Sequence, residues 1–148
     1  METANSSSGF ERKGGRRMLK RIIVAIVAVF ITWAVLDFII HGILLKSTYE
    51  ATANLWRPMN EMKMGLSYFV TLVCAICFVL MYGLLVGKKS LASGIGFGAL
   101  FGLASGFSMG FGSYCYMPIP LTLALTWFIG TLIEGIAAGA IVGAIVKS

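Results

Sequence analysis

Four apolar runs govern what this chain can fold into: Ile22 to Leu44, Met64 to Val86, Leu91 to Tyr114 and Leu121 to Val146. A bilayer core of roughly 30 Å is crossed by about 20 mostly apolar residues at about 1.5 Å of rise each, and every run meets that length. The fold class expected is all-α, a bundle of four transmembrane helices. Composition excludes the alternatives. Of 148 residues 58% are hydrophobic and only 12% charged, whereas a water-soluble domain carries about a quarter of its residues charged to hydrate its surface. The 3 cysteines are too few and odd in number for a disulfide scaffold. Between the runs lie one polar loop and two short turns, Gly87-Lys88-Lys89-Ser90 and Met117-Pro118-Ile119-Pro120, too little chain for a separate catalytic domain.

The net charge of +6 is read as a topology signal, because Lys and Arg near span ends are retained on the cytoplasmic side. Arg12, Lys13, Arg16, Arg17, Lys20, Arg21, Lys88, Lys89 and Lys147 fall on one side, and only Lys46, Arg57 and Lys63 on the other. Both termini are therefore expected to face the cytoplasm. No nucleic acid partner is needed to explain the charge; the basic tail has anionic headgroups to attract it instead. Residues 1–17 form a basic tail expected to be disordered unless bound, and residues 18–148 a single transmembrane domain. The first run exceeds the 7 to 15 residues of a signal h-region and contains Asp37 and His41, so it is read as a retained span.

In the loop, Ser47-Thr48-Tyr49-Glu50 fits a capping box. It predicts a short helix lying on the outer interface between the first and second spans, with Tyr49, Leu55 and Trp56 at headgroup level and Pro58 ending it.

Glycine recurs every four residues in the third span, at Gly94, Gly98, Gly102, Gly106 and Gly110, and the fourth span carries Gly135, Gly139 and Gly143. Hydrocarbon offers little hydrophobic gain for helix association, so close backbone approach through small residues supplies the contact energy. This glycine-zipper pattern predicts a close crossing of the last two helices and leaves a face for a second copy. Phe97, Phe101, Phe107 and Phe111 are read as bulk that faces lipid or fills the bundle.

Three ionisable residues lie inside the spans: Asp37, His41 and Glu134. Groups at such depth are costly enough to require a reason, either pinning helices together or exchanging protons or cations. Asp37 and His41 are four apart and share a helix face. Counted from the cytoplasmic ends, Asp37 lies at roughly 24 Å and Glu134 at roughly 18 Å, so tilt or a bridging Thr32, Thr71, Thr126 or Thr131 is expected to be needed to join them. The thiol pair Cys74 and Cys77, with Cys115 and several methionines, raises a weaker soft-metal transport reading. No catalytic set can be assembled from one histidine and these acids, and no cofactor or resident metal is expected.

Leu36-Asp37-Phe38-Ile39-Ile40-His41-Gly42, Leu55-Trp56-Arg57-Pro58, Met109-Gly110-Phe111-Gly112-Ser113-Tyr114 and Met117-Pro118-Ile119-Pro120 together resemble small four-span bacterial integral membrane proteins that have no assigned activity. The likeness covers about residues 18–147 and implies a helical bundle in a bacterial inner membrane. The leading expectation is a non-enzymatic membrane protein that associates with itself or serves as an accessory subunit of a larger membrane complex. A small proton- or cation-conducting transporter using Asp37, His41 and Glu134 is the competing class.

Overall fold

A computed structural model describes the backbone from Thr3 to Lys147 and the surroundings of side chains from Gly14 onward. The expectation for an isolated tail falls mostly on residues outside the described side chains; Gly14 to Arg17 are helical and exposed. Helix α1 covers Thr3–Asp37 and continues as a π-helical segment, Phe38–Leu44. After one intervening residue comes the short α2, Lys46–Ala51, then two 3₁₀ turns at Ala53–Leu55 and Met59–Glu61. Helix α3 is Met64–Leu85 and α4 is Leu91–Phe107. A second π segment, Ser108–Gly112, leads into α5, Ser113–Tyr116, and α6 closes the chain at Leu121–Ile145. Among the described residues there is no strand.

Four continuous helical stretches are long and apolar enough to cross a bilayer: Gly14–Leu44, Met64–Leu85, Leu91–Tyr116 and Leu121–Ile145. The first starts earlier than the hydropathy of the sequence suggests, because the basic face from Gly14 onward is already helical. Their outer surface is apolar, with Val27, Ile31 and Val35 on α1, Leu66 and Phe69 on α3, Leu100 on α4 and Ile129 and Ile133 on α6 all at least half exposed. An apolar exterior that continuous suits a hydrocarbon solvent.

Helix α6 is the centre of the bundle. It runs antiparallel to α4, and the two backbones touch along most of their length. A Cβ on Gly94 would meet Gly143 Cα at 2.6 Å, one on Gly98 would meet Gly139 Cα at 2.8 Å, and one on Gly102 would meet Leu132 Cα at 3.0 Å. The contact is reciprocal, since a Cβ on Gly135 would sit 2.7 Å from Gly102 Cα. A four-residue stripe on a 3.6-residue helix drifts about 40° per step. The π segment turns less per residue and so brings Gly110 back to face α6, where its missing side chain makes room for Phe128.

Helix α1 packs on the adjacent side of α6, also antiparallel, with Ile40 filling the space beside Gly130. Helix α3 joins through Ala75, Phe78, Val79 and Tyr82, a one-faced i, i+3, i+4, i+7 set that is fully buried. Phe78 meets Phe97 and Phe101 of α4 and the edge of Trp33 of α1. Tyr82 fixes the turn into α4: its hydroxyl donates to Ser90 O at 3.0 Å and accepts from Ser90 N at 3.2 Å, while Ser90 and Ser93 form a capping box. The other half of α3, Met64 to Val73, is exposed except at Thr71, which is half-buried.

The loop departs from the sequence reading in two respects: α2 ends at Ala51 rather than at Pro58, and its start is not the expected capping box. The α2 helix is present, but its N-cap is Leu45 and no side chain caps it. Ser47 therefore lies inside the helix. The chain leaves the π segment through the Leu45 N–H to Ile40 O bond of 2.9 Å and re-enters helix at once, so there is no free end for a Ser47–Glu50 box to satisfy.

Gly98→Ala and Gly139→Ala should each lose about 1–3 kcal/mol of stability, since the atoms in the way are backbone. Gly96→Ala, with open space around it, should be neutral or stabilising by up to about 1 kcal/mol. Unfolding of the three variants in one detergent checks this; equal losses at all three positions would contradict the packing.

Candidate functional site

Two hydrogen bonds between α1 and α6 set their register. Arg21 Nη1 donates to Lys147 O at 3.0 Å, and Trp33 Nε1 donates to Glu134 O at 2.9 Å. Measured from the Arg21–Lys147 level, Asp37 lies about 24 Å along α1 and Glu134 about 20 Å along α6. The expected depths are close to this. The two carboxyls are close enough to interact electrostatically across the α1–α6 interface. Side chains lean toward the N-terminus of their own helix. In an antiparallel pair the Asp37 side chain leans toward the termini end and Glu134 toward the loop end, so together they close the remaining gap. Thr71 and Thr126 bridge nothing; each hydroxyl bonds the carbonyl four residues back, on Ser67 and Thr122.

Within this pair Glu134 is the more constrained. Its Oε1 is sealed from solvent with no hydrogen-bond partner. An orphaned buried acceptor costs roughly 1–3 kcal/mol, more when charged. Toward the termini end Trp33, 8% exposed, closes the site, and below it lie fully buried Val29, Ala25, Val142 and Val146. Among the described residues this core buries no charged side chain, and its polar tips are those of Trp33 and Tyr82.

Toward the loop end the polar contacts do continue. His41 Nε2 is 3.8 Å from Asp37 Oδ1, an ion-pair distance rather than a hydrogen bond. His41 Nδ1 is 2.6 Å from the Tyr49 hydroxyl, which also takes the Trp127 Nε1–H at 2.9 Å. The direction of the Tyr49–His41 bond follows the imidazole tautomer, and the Trp127 bond is compatible with Tyr49 as the donor to His41. Indole can only donate, so the Tyr49 oxygen accepts from Trp127 and its single proton is free to go to His41 Nδ1. In the tautomer in which Nδ1 accepts from Tyr49, the imidazole proton is on Nε2, the nitrogen nearer Asp37. Tyr49, His41, Asp37 and Glu134 thus form a string of exchangeable groups running from the loop into the α1–α6 interface, with a hydrogen bond between Tyr49 and His41.

The loop holds Tyr49 in place. Trp56 donates to Thr52 Oγ1 at 2.9 Å, Thr52 donates to Thr48 O at 2.7 Å, and Trp56 stands edge-on to both Tyr49 and Trp127. Both π segments flank the same stretch of α6, one through Ile40 against Gly130 and the other through Gly110 against Phe128. Of the string's members, His41 is 35% and Asp37 44% exposed at the side chain, so the site opens sideways out of the bundle.

Trp127 and Trp33 have no role in the sequence reading, and Tyr49 has only that of a headgroup anchor. Tyrosine in the loop reads as a headgroup anchor and tryptophan in an apolar run as bulk; only the folded register turns their polar atoms toward His41 and Glu134. Cys74 and Cys77 lie exposed on α3, unbonded, as does Cys115 beyond α4. Among the described residues no three His, Cys, Asp or Glu side chains gather as a metal-holding group. Comparison of the chain with protein-family models, curated proteins and solved structures finds no match.

Burial raises the Tyr49 hydroxyl above its ordinary value, the Trp127 hydrogen bond opposes the shift, and the Asp37 charge adds to it. The fold thus favours the neutral phenol. Its contribution to stability is complete below the unfolded value near 10 and is lost as pH rises through the higher folded value. Ultraviolet titration of wild type against Tyr49→Phe should show phenolate from Tyr49 only above pH 10. Ionisation of Tyr49 below that would contradict the buried string.

Proposed function

We propose that the protein is a non-enzymatic integral membrane protein that exchanges protons at the Asp37–Glu134 carboxyl pair, fed through His41 and Tyr49 from the loop side. The observation that carries this reading is the approach of two carboxyls from different spans across the α1–α6 interface, with one buried Glu134 oxygen left without a partner. A pair serving only to pin helices would satisfy its acceptors with hydroxyls or backbone donors; this one leaves an acceptor open for a proton. A proton passed from the Tyr49 hydroxyl to Nδ1 releases the one on Nε2 to Asp37, and the imidazole ends neutral again. Asp37 hands it to Glu134, and Tyr49 is reprotonated from the loop side.

The basic residues at the termini end support a topology with both termini cytoplasmic, and the resemblance to four-span bacterial proteins supports the inner membrane. In that setting α2, with Tyr49 and Trp56, rests at the outer interface.

A second reading is favoured by two further features. The loop-end half of α3 is exposed along most of its length, and the string is closed toward the termini end by Trp33 and the apolar core, so a single copy offers only half a path. Self-association, or a place in a larger membrane complex, would supply the other half.

In proteoliposomes, a pH gradient should dissipate faster with wild type than in empty vesicles. Asp37→Asn and Glu134→Gln should return the rate to background, and Tyr49→Phe should slow it by roughly tenfold or more. A rate rising with the square of protein density per vesicle would support a paired unit. Wild-type flux equal to background, or unchanged in both carboxyl variants, removes proton exchange and leaves the accessory-subunit reading.

A further inference from the structure

At the termini end, α1 and α6 leave an open depression of about 310 Å³ lined by Arg17, Lys20, Arg21, Val24 and Ile145. Arg17, Lys20, Arg21 and Val24 follow the i, i+3, i+4, i+7 spacing of one helix face, so three cations stand together above an apolar floor. Among the described residues no carboxylate lies at ion-pair distance from any of the three. Arg21 spends one N–H on Lys147 O at 3.0 Å, which fixes the guanidinium at the mouth of the depression and leaves its other donors free. The bulk of α1 below this point is apolar, starting at Ile22 and Ile23. The cations therefore sit where polar and apolar solvents meet in a spanning helix.

We propose that this depression is a binding site for an anionic glycerophospholipid, its phosphate held by Arg17, Lys20 and Arg21 and the first methylenes of an acyl chain lying on Val24 and Ile145. Three cations on one face repel one another until an anion neutralises them, and a guanidinium presents paired donors to phosphate oxygens. A free phosphate ion would satisfy the charges but leave Val24 and Ile145 unused; a phospholipid uses both halves of the site. The bound headgroup would also clamp α1 to the end of α6, on the same interface that holds Asp37 against Glu134. The inference rests on the membrane-spanning reading and is independent of proton exchange.

The test is thermal unfolding of the full chain in a zwitterionic detergent, titrated with phosphatidylglycerol, phosphatidylcholine or inorganic phosphate at equal ionic strength. Phosphatidylglycerol should raise the midpoint of wild type, and the other two should not. Arg17→Gln/Lys20→Gln, which keeps the Arg21 bond, should need roughly thirtyfold more phosphatidylglycerol for the same shift. The charge-keeping Arg17→Lys/Lys20→Arg variant should respond within a few-fold of wild type, and Lys88→Gln/Lys89→Gln, away from the depression, should respond as wild type does. Four results would overturn the proposal: no response of wild type to phosphatidylglycerol, an equal response in Arg17→Gln/Lys20→Gln, inorganic phosphate matching the lipid, or Lys88→Gln/Lys89→Gln weakening the response as much. Should the double Gln variant fail to fold, a thirtyfold loss in the charge-keeping variant would overturn it as well.

Discussion

Direct backbone contact between α4 and α6 is the constraint on which the remaining packing depends. Apolar side chains gain little by leaving lipid for protein, so helices in hydrocarbon are held by dispersion and weak Cα–H hydrogen bonds at short range. Four glycines on α4, Gly110 in the π segment after it and three glycines on α6 remove the atoms that would keep the axes apart. With one side of α6 committed to α4 in this way, its other side is left for α1. That second interface is where the ionisable residues meet.

The α1–α6 pair combines two demands. Near the termini it is dry and apolar, with Ala25, Val29, Val142 and Val146 fully buried. Near the loop end it must take in Asp37, Glu134 and His41, whose desolvation is unfavourable. The π segment Phe38–Leu44 falls where one regime gives way to the other. Its wider turn lets Ile40 and Leu45 pack into the apolar cluster around Leu123 and Trp127 while His41 stays beside Asp37. Such turns recur at functional sites because they re-aim side chains without ending a helix.

Much of this was legible in the sequence. The four apolar runs and the glycine spacing need no knowledge of neighbours, since length and side-chain volume are local properties. The polar string was harder to read. Asp37 and His41 are visible as an i, i+4 pair, but Glu134 joins them only through the opposed lean of side chains on antiparallel helices, which depends on which helices are neighbours. Trp127 and Tyr49 matter through one N–H and one O–H whose directions follow from tertiary register. Ser47 misled because a capping box is a signal for a helix that starts fresh, and here Leu45 joins two helical segments with no free end between them. The π segments carry no distinct sequence signature beyond the glycines within them.

The central claim is that the Asp37 and Glu134 carboxyls form one interacting unit. Infrared spectra of the protein in bilayers, recorded across pH, observe carboxyl C=O stretches directly. The account predicts that Asp37→Asn shifts both the frequency and the titration of the band that disappears in Glu134→Gln, and that the converse also holds. Two carboxyl bands that titrate independently, each unmoved by loss of the other residue, would contradict it.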